Sequence, residues 1–249
     1  MKSTSISAAP RATRRLFSSS SLLFPPTPPP LINVFSTPGS SSSKSENPVS
    51  SWPVRRVYCI GRNYAAHASE MGDDPSRSSP FFFQKPPQAI VDTTASADPL
   101  RFPRMTSSYH YEAELVLGIG GSSAPSLSPS GAMSLIHAIG VGCDLTRRDL
   151  QDVAKEKRRP WDDGKGVEDS GPQGCPVRTG GLMAQPSHPR RRPPTPLAAT
   201  ISQYHDLHAG DIIFTGTPAG VGKIERGENV LVTLDLADGG RLSCDFACE

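Results

Sequence analysis

Two carboxylates stand two residues apart in His110-Tyr111-Glu112-Ala113-Glu114. On a strand, alternate residues project from one face, so this spacing predicts like charges held side by side. Their repulsion and lost hydration would raise one pKa and cost stability unless a counter-charge is present, and a hard divalent cation with oxygen ligands supplies one. A bare Glu-x-Glu commonly faces solvent. Here, however, the other parity, Tyr109, Tyr111, Ala113, Leu115, Leu117 and Ile119, is entirely apolar or aromatic, which predicts a strand over 109–119 with one buried face. A third acid, Asp144, follows the apolar run ending Gly142-Cys143 and precedes an expected helix beginning near Thr146. An acid at such a junction can cap the helix, but Thr146 is available for that task, which leaves Asp144 for a metal. Three carboxylates with no Cys or neutral His ligand predict Mg²⁺ or Mn²⁺ rather than Zn²⁺.

Further motifs surround these acids in a fixed order. They are Gly61-Arg62-Asn63-Tyr64-Ala65-Ala66-His67, Phe83-Gln84-Lys85-Pro86, Gly142-Cys143-Asp144 running on to Arg148 and Gln151, Pro160-Trp161 with Lys165, and Gly210-Asp211 through Thr215-Gly216-Thr217-Pro218 to Gly222. Taken together, over roughly Pro53 to Leu236, they resemble the fumarylacetoacetate hydrolase family, on its acylpyruvase branch. The resemblance implies a β-rich α+β fold with mixed rolled sheets and few short helices. It also implies a hydrolase that cleaves a carbon–carbon bond in 3-acylpyruvates such as acetylpyruvate or fumarylpyruvate. The alternatives are oxaloacetate decarboxylation at the same metal, or a catalytically degenerate metal binder.

The same resemblance assigns Glu112, Glu114 and Asp144 to Mg²⁺ or Mn²⁺, in agreement with the reading of the acids themselves. It gives His67 and Glu70 as the pair that activates water; their i, i+3 spacing puts both on one helix face, where the carboxylate can orient the imidazole. Lys165 corresponds to the family's cationic partner for a developing enolate, and Arg62, Lys85 and Thr217 to substrate-binding positions. Arg148 and Gln151 are one helical turn apart and can reach a common side, where they are expected to grip a substrate carboxylate or keto oxygen. The Gly-rich turns at 118–121 and 215–222 lack the spacing that would cradle a nucleotide.

Short elements must position these groups. Strands are expected over 56–60, 80–84, 212–216, 229–236 and 241–246, and helices over 64–70 and 146–157. The run 135–143 is ambiguous between a helix leading into a strand and one buried element. Between Pro176 and Ile201, a stretch including Pro189-Arg190-Arg191-Arg192-Pro193-Pro194 stands where the family carries a strand. Proline donates no ladder hydrogen bond, so 177–200 is expected to be an irregular insert, with part of the sheet missing.

The whole chain bounds the rest. Its 249 residues suit one catalytic domain. A formal charge of +2, with arginines in short clusters, argues against nucleic acid as a partner. Five unpaired-looking cysteines argue against a disulfide framework or a zinc site, and no apolar run is long enough to cross a bilayer. A small keto acid is the expected partner, with a homodimer as the family's common assembly. The first 45 residues hold no Asp or Glu and are rich in Ser with Arg11, Arg14 and Arg15, the composition of a transit segment. Residues 1–50 are therefore expected to be a disordered leader, with the mitochondrion as destination (chloroplast or cytosol as alternatives) and the catalytic domain spanning 51–249.

Overall fold

A computed structural model of the protein describes residues 27–35, 48–64, 81–121, 126–178, 194–236 and 239–249. The domain begins earlier in the chain than expected, because β1 (Leu31–Val34) pairs antiparallel with β2 (Ser50–Pro53). Ile32 and Val34 are buried. Part of the supposed leader is thus a strand of the fold, recruited by an alternation of apolar side chains too short to stand out in a Pro- and Ser-rich background.

The centre is a mixed seven-stranded sheet. In chain order its strands are β3 (Val57–Gly61), β4 (Phe81–Lys85), β5 (Ile90–Asp92), β7 (Ala113–Ile119), β8 (Ile136–Cys143), β10 (Gly171–Arg178) and β11 (Ile212–Phe214); in space they run β4-β3-β11-β7-β8-β10-β5. The ambiguous run 135–143 is therefore a strand. A small sheet of β12 (Gly222–Ile224), β6 (Tyr109–Tyr111) and β9 (Thr146–Arg147) adjoins it, and β13 (Asn229–Asp235) with β14 (Arg241–Ala247) forms a hairpin. The described helices are short: α1 (Pro129–Met133), α2 (Arg148–Glu156), α3 (Asp162–Lys165) and α4 (Pro194–Ser202).

Both faces of the central sheet are covered, and the period-two alternation of the strands divides their side chains between two cores. Tyr58, Ile60, Leu115, Leu117 and Ile213 join the larger core with Leu197, Ala198 and Ile201 of α4 and Leu242, Cys244 and Phe246 of β14. Val57, Cys59, Val116, Ile212 and Phe214 join the smaller one with Ile32, Val54 and Ile90. The expected single strand over 109–119 is divided at Glu112, and β7 is buried on both sides rather than on one.

The 177–200 stretch also differs from expectation at both ends. Val177 and Arg178 complete β10, paired with Ile139 and Ala138 of β8, and the register shifts between Gly174 and Val177. Pro176 sits inside that irregularity, where the missing N–H costs no ladder bond. At the other end, residues from Pro194 are helical. The intervening 179–193 lie outside the described residues, as does most of the expected 64–70 helix.

Thr146 does not cap the helix. It forms β9, and α2 starts at Arg148 with no side-chain cap. Asp149 ties down that end instead, accepting from Ser107 N at 2.9 Å and Thr106 Oγ1 at 2.7 Å, contacts that hold its pKa below the usual value although burial alone would raise it. If β1 belongs to the domain, Ile32→Ala should cost about 2–4 kcal/mol, read as a lowered urea midpoint; an unchanged midpoint would return residues 31–34 to the leader.

Candidate metal and enolate site

The site forms where two neighbouring strands change sheets together. β7 and β8 are antiparallel with Ala113 opposite Cys143 and Glu114 opposite Gly142, and beyond them β6 and β9 pair His110 with Thr146. Glu112 and Asp144 occupy the gap between the two ladders, joined by a hydrogen bond from Asp144 N to Glu112 O of 2.8 Å. The same register runs through the gap, so Asp144 stands opposite Glu112, and Glu114, two residues along the strand, shares their face. One carboxylate oxygen of each acid lies within 4.8 Å of the others.

All three acids are buried, and three cations surround them. Lys165 Nζ donates to Glu112 Oε2 at 2.9 Å and Asp144 Oδ2 at 2.7 Å. Arg148 donates to Glu112 Oε1 at 2.6 Å through one amino group and to Gln151 Oε1 at 2.6 Å through another. Lys85 Nζ lies 2.9 Å from Asp144 Oδ1. Its protons, however, are directed at Leu145 O, Lys165 O and Ser170 Oγ, so Oδ1 receives charge from it but no hydrogen bond. Burial pushes the Lys165 pKa down, but the Asp144 and Glu112 carboxylates outweigh it and the net shift is upward. Among the described residues, the close donor to Glu114 is the Gly216 N–H, at 2.6 Å. Burial, then the charges of Asp144 and Glu112, raise its pKa well above the ordinary glutamate range.

These features fit a hard divalent cation. Three oxygen donors converge, one buried oxygen has no proton donor among the described residues, and burial together with the neighbouring carboxylates raises the pKa of the third acid. Glu112, Glu114 and Asp144 would hold the ion through their carboxylate oxygens, the donor type that Mg²⁺ or Mn²⁺ takes.

The carboxylates open into a cleft of about 490 Å³, part of it solvent space, whose wall includes Arg62, Arg148, Gln151, Lys165 and Thr217. Five positions singled out in the sequence therefore share one wall. Arg148 donates to both Gln151 and Glu112, so the arginine orients a carboxylate of the site. Lys85 does not share that wall: its side chain is fully buried behind Asp144 and its protons bind the carbonyls of Leu145 and Lys165. His67 and Glu70 lie outside the described residues.

Phe83 and Lys155 also line the cleft and were not singled out by sequence reasoning. Lys155 had a legible signal, since Arg148, Gln151 and Lys155 follow i, i+3, i+7 and so share one helix face; Phe83 had none. Two backbone conformations serve the site. Gly216 has φ +90° and a Cβ there would meet Ile60 O at 3.0 Å, so only glycine brings its N–H to Glu114. Arg62 adopts φ +62° at the end of β3, a left-handed conformation costing about 1 kcal/mol in a non-glycine residue.

Two measurements follow from the charges. Because the folded pKa of Glu114 is raised, its contribution to metal-free stability is present at low pH and is lost as pH rises toward that pKa, whereas a bound ion displaces the proton. The Tm gained on adding Mn²⁺ over EDTA should therefore grow as pH rises above the ordinary glutamate range; a gain that stays level or shrinks contradicts the assignment. Lys85→Met should leave the Asp144 charge short of compensation and unfold the protein about 3–5 kcal/mol more easily in denaturant.

Comparison with known proteins places this geometry. The family "Fumarylacetoacetate (FAA) hydrolase C-terminal" matches residues 56–189 and 190–245. A fumarylpyruvate hydrolase from Ralstonia sp. is 36% identical over 174 residues, covering 64% of this chain and 88% of that protein. The mitochondrial oxaloacetate tautomerase FMP41 of Saccharomyces cerevisiae is 30% identical over 249 residues, covering 79% and 93%. Among solved structures, the fumarylpyruvate hydrolase of Pseudomonas aeruginosa in complex with Mn²⁺ and pyruvate has a TM-score of 0.75 at 36% identity, covering 92% of this chain and 100% of that one. The chain belongs to the fumarylacetoacetate hydrolase family.

Proposed function

We propose that the protein is a divalent-metal-dependent hydrolase that cleaves the carbon–carbon bond of 3-acylpyruvates, giving pyruvate and a carboxylic acid, with Mg²⁺ or Mn²⁺ as cofactor. The observation that carries this reading is the buried Lys165 ammonium, 2.7 Å from Asp144 and 2.9 Å from Glu112, on the wall of a cleft containing all three acids. A bound divalent ion would supply Lewis acidity toward an enolisable 2-keto acid. Lys165 supplies fixed positive charge beside the position where negative charge grows as the pyruvate enolate departs. Such an interaction is stronger in the transition state than in the ground state, which is what lowers a barrier.

The remaining residues hold and shield that arrangement. Arg148 fixes the Glu112 carboxylate, and Lys85 fixes the backbone of Leu145 and Lys165. Arg62 and Thr217 stand on the wall where a substrate carboxylate or keto oxygen would lie. The charges favour an anion: three carboxylates are offset by Lys85, Lys165 and Arg148, so a divalent ion leaves an excess of positive charge that draws an acid inward. His67, oriented by Glu70, is assigned the activation of water on the strength of the family resemblance.

A second reading takes oxaloacetate at the same wall, as the name of the yeast relative suggests; decarboxylation would yield the same kind of enolate with no attacking water. Mitochondrial residence is proposed from the acid-free, Arg- and Ser-rich first 45 residues, and that relative is named mitochondrial. Purified protein with Mg²⁺ or Mn²⁺ is expected to release pyruvate from acetylpyruvate; a preparation that binds Mn²⁺ yet leaves acetylpyruvate intact excludes the hydrolase. His67→Ala separates the two readings, because hydrolysis should fall by at least about 100-fold while carbon dioxide release from oxaloacetate persists.

A further inference from the structure

Beyond the ends of β3 and β11, one peptide unit is gripped on both edges. The parallel ladder of these strands stops with Phe214 opposite Cys59. Arg62, at φ +62°, bends the chain after β3 and lines the cleft, whereas Asn63 beside it is buried. The Asn63 side-chain amide donates from Nδ2 to Thr215 O at 2.9 Å. On the other edge of the same peptide, Gly216 N–H donates to Glu114 Oε2 at 2.6 Å. The carbonyl and the N–H belong to one planar unit and point in opposite directions, so holding the first also aims the second.

Glycine permits this arrangement but does not hold it. Gly216 has φ +90°, and a Cβ there would meet Ile60 O at 3.0 Å and Asn63 Cβ at 3.1 Å. The freedom that lets the chain come so close also leaves its peptide easy to rotate. Thr215 is anchored one unit earlier: its N–H and its hydroxyl donate to Leu115 O at 3.1 Å and 3.0 Å. Those bonds fix the peptide before Thr215, whereas the Asn63 amide fixes the one that faces Glu114. A carbonyl that accepts a hydrogen bond also polarises the N–H of its own peptide, which strengthens the bond donated onward. Glu114 is one of the three acids whose oxygens converge, and hydrogen bonds from outside a metal's own ligands orient those ligands.

We infer that Asn63 is a positioning residue for the metal: through the Thr215–Gly216 peptide its amide fixes the Glu114 carboxylate and so sets how tightly the ion is held. This rests on the reading of Glu112, Glu114 and Asp144 as the ligands, and adds a residue that does not line the cleft. The test measures Mn²⁺ dissociation constants by calorimetry, with no substrate present. It uses wild type, Asn63→Asp, Asn63→Ala, Glu114→Gln, and each Asn63 change combined with Glu114→Gln. Ionised aspartate keeps the shape of asparagine but has no proton to donate. Alanine removes the amide without adding charge, and carries the test if the aspartate variant fails to fold. Either change should weaken Mn²⁺ binding by about tenfold or more when Glu114 is present, and by less than about twofold in the Glu114→Gln background. The EPR spectrum of bound Mn²⁺ should change with Asn63→Ala, because the ligand geometry changes. Equal weakening in both backgrounds, or a lowered Tm with unchanged Mn²⁺ affinity, makes Asn63 a support of the fold alone and overturns the inference. Wild-type protein that binds no Mn²⁺ overturns the metal reading itself, and the inference with it.

Discussion

Three carboxylates taken out of water within a few ångströms of each other make the strongest demand on this structure. Isolated, they would cost many kcal/mol in desolvation and repulsion. The protein meets the demand with Lys165, Arg148 and Lys85, each near one or two particular oxygens. Glu114, with a single backbone donor, is left to keep a proton or to wait for a metal. Each cation must in turn be held, which draws in Gln151, Ser170 and the carbonyls of Leu145 and Lys165. Removing one member leaves an uncompensated buried charge, so the set acts as a unit.

That unit can exist because two antiparallel strands pass from one sheet to the other at the same level without a shift of register. Directly opposed residues of such a pair project from one face, so Asp144 faces Glu112 and Glu114 lies on their side. At the junction of the seven-stranded and three-stranded sheets, Asp144 N–H to Glu112 O keeps the strands together. The covered sheet around them makes the junction stiff. Gly174 approaches the backbone of Ser243 so closely that no side chain could fit there, which seats the terminal hairpin on β10.

The site also has two kinds of lining. Charged groups are fixed by backbone contacts, whereas Phe83 and Trp161 form an aromatic wall beside them, with Phe81 packed edge-on against Trp161. A wall of this kind can change without disturbing the charge balance behind it. That fits a family in which relatives of similar identity bear names for hydrolysis and for tautomerisation.

From sequence alone, the convergence of the three acids was legible because residue type limits the chemistry: close carboxylates need positive charge, and hard oxygen donors suit a hard ion. The β-rich fold, most strand positions and the pairing of Arg148 with Gln151 followed from periodicity and from motifs in order. Three things needed the tertiary structure. One was the break at Glu112, which no local pattern marks because both halves of 109–119 are good strands. Another was the difference between Lys85 behind the site and Lys165 within it, since a lysine's role depends on which oxygens surround its nitrogen. The last was the strand status of 31–34 and 177–178, short runs set in Pro-rich surroundings. Local pattern reports what a segment prefers, whereas pairing partners and burial come from distant residues, and in this protein those partners decided where each charge was placed.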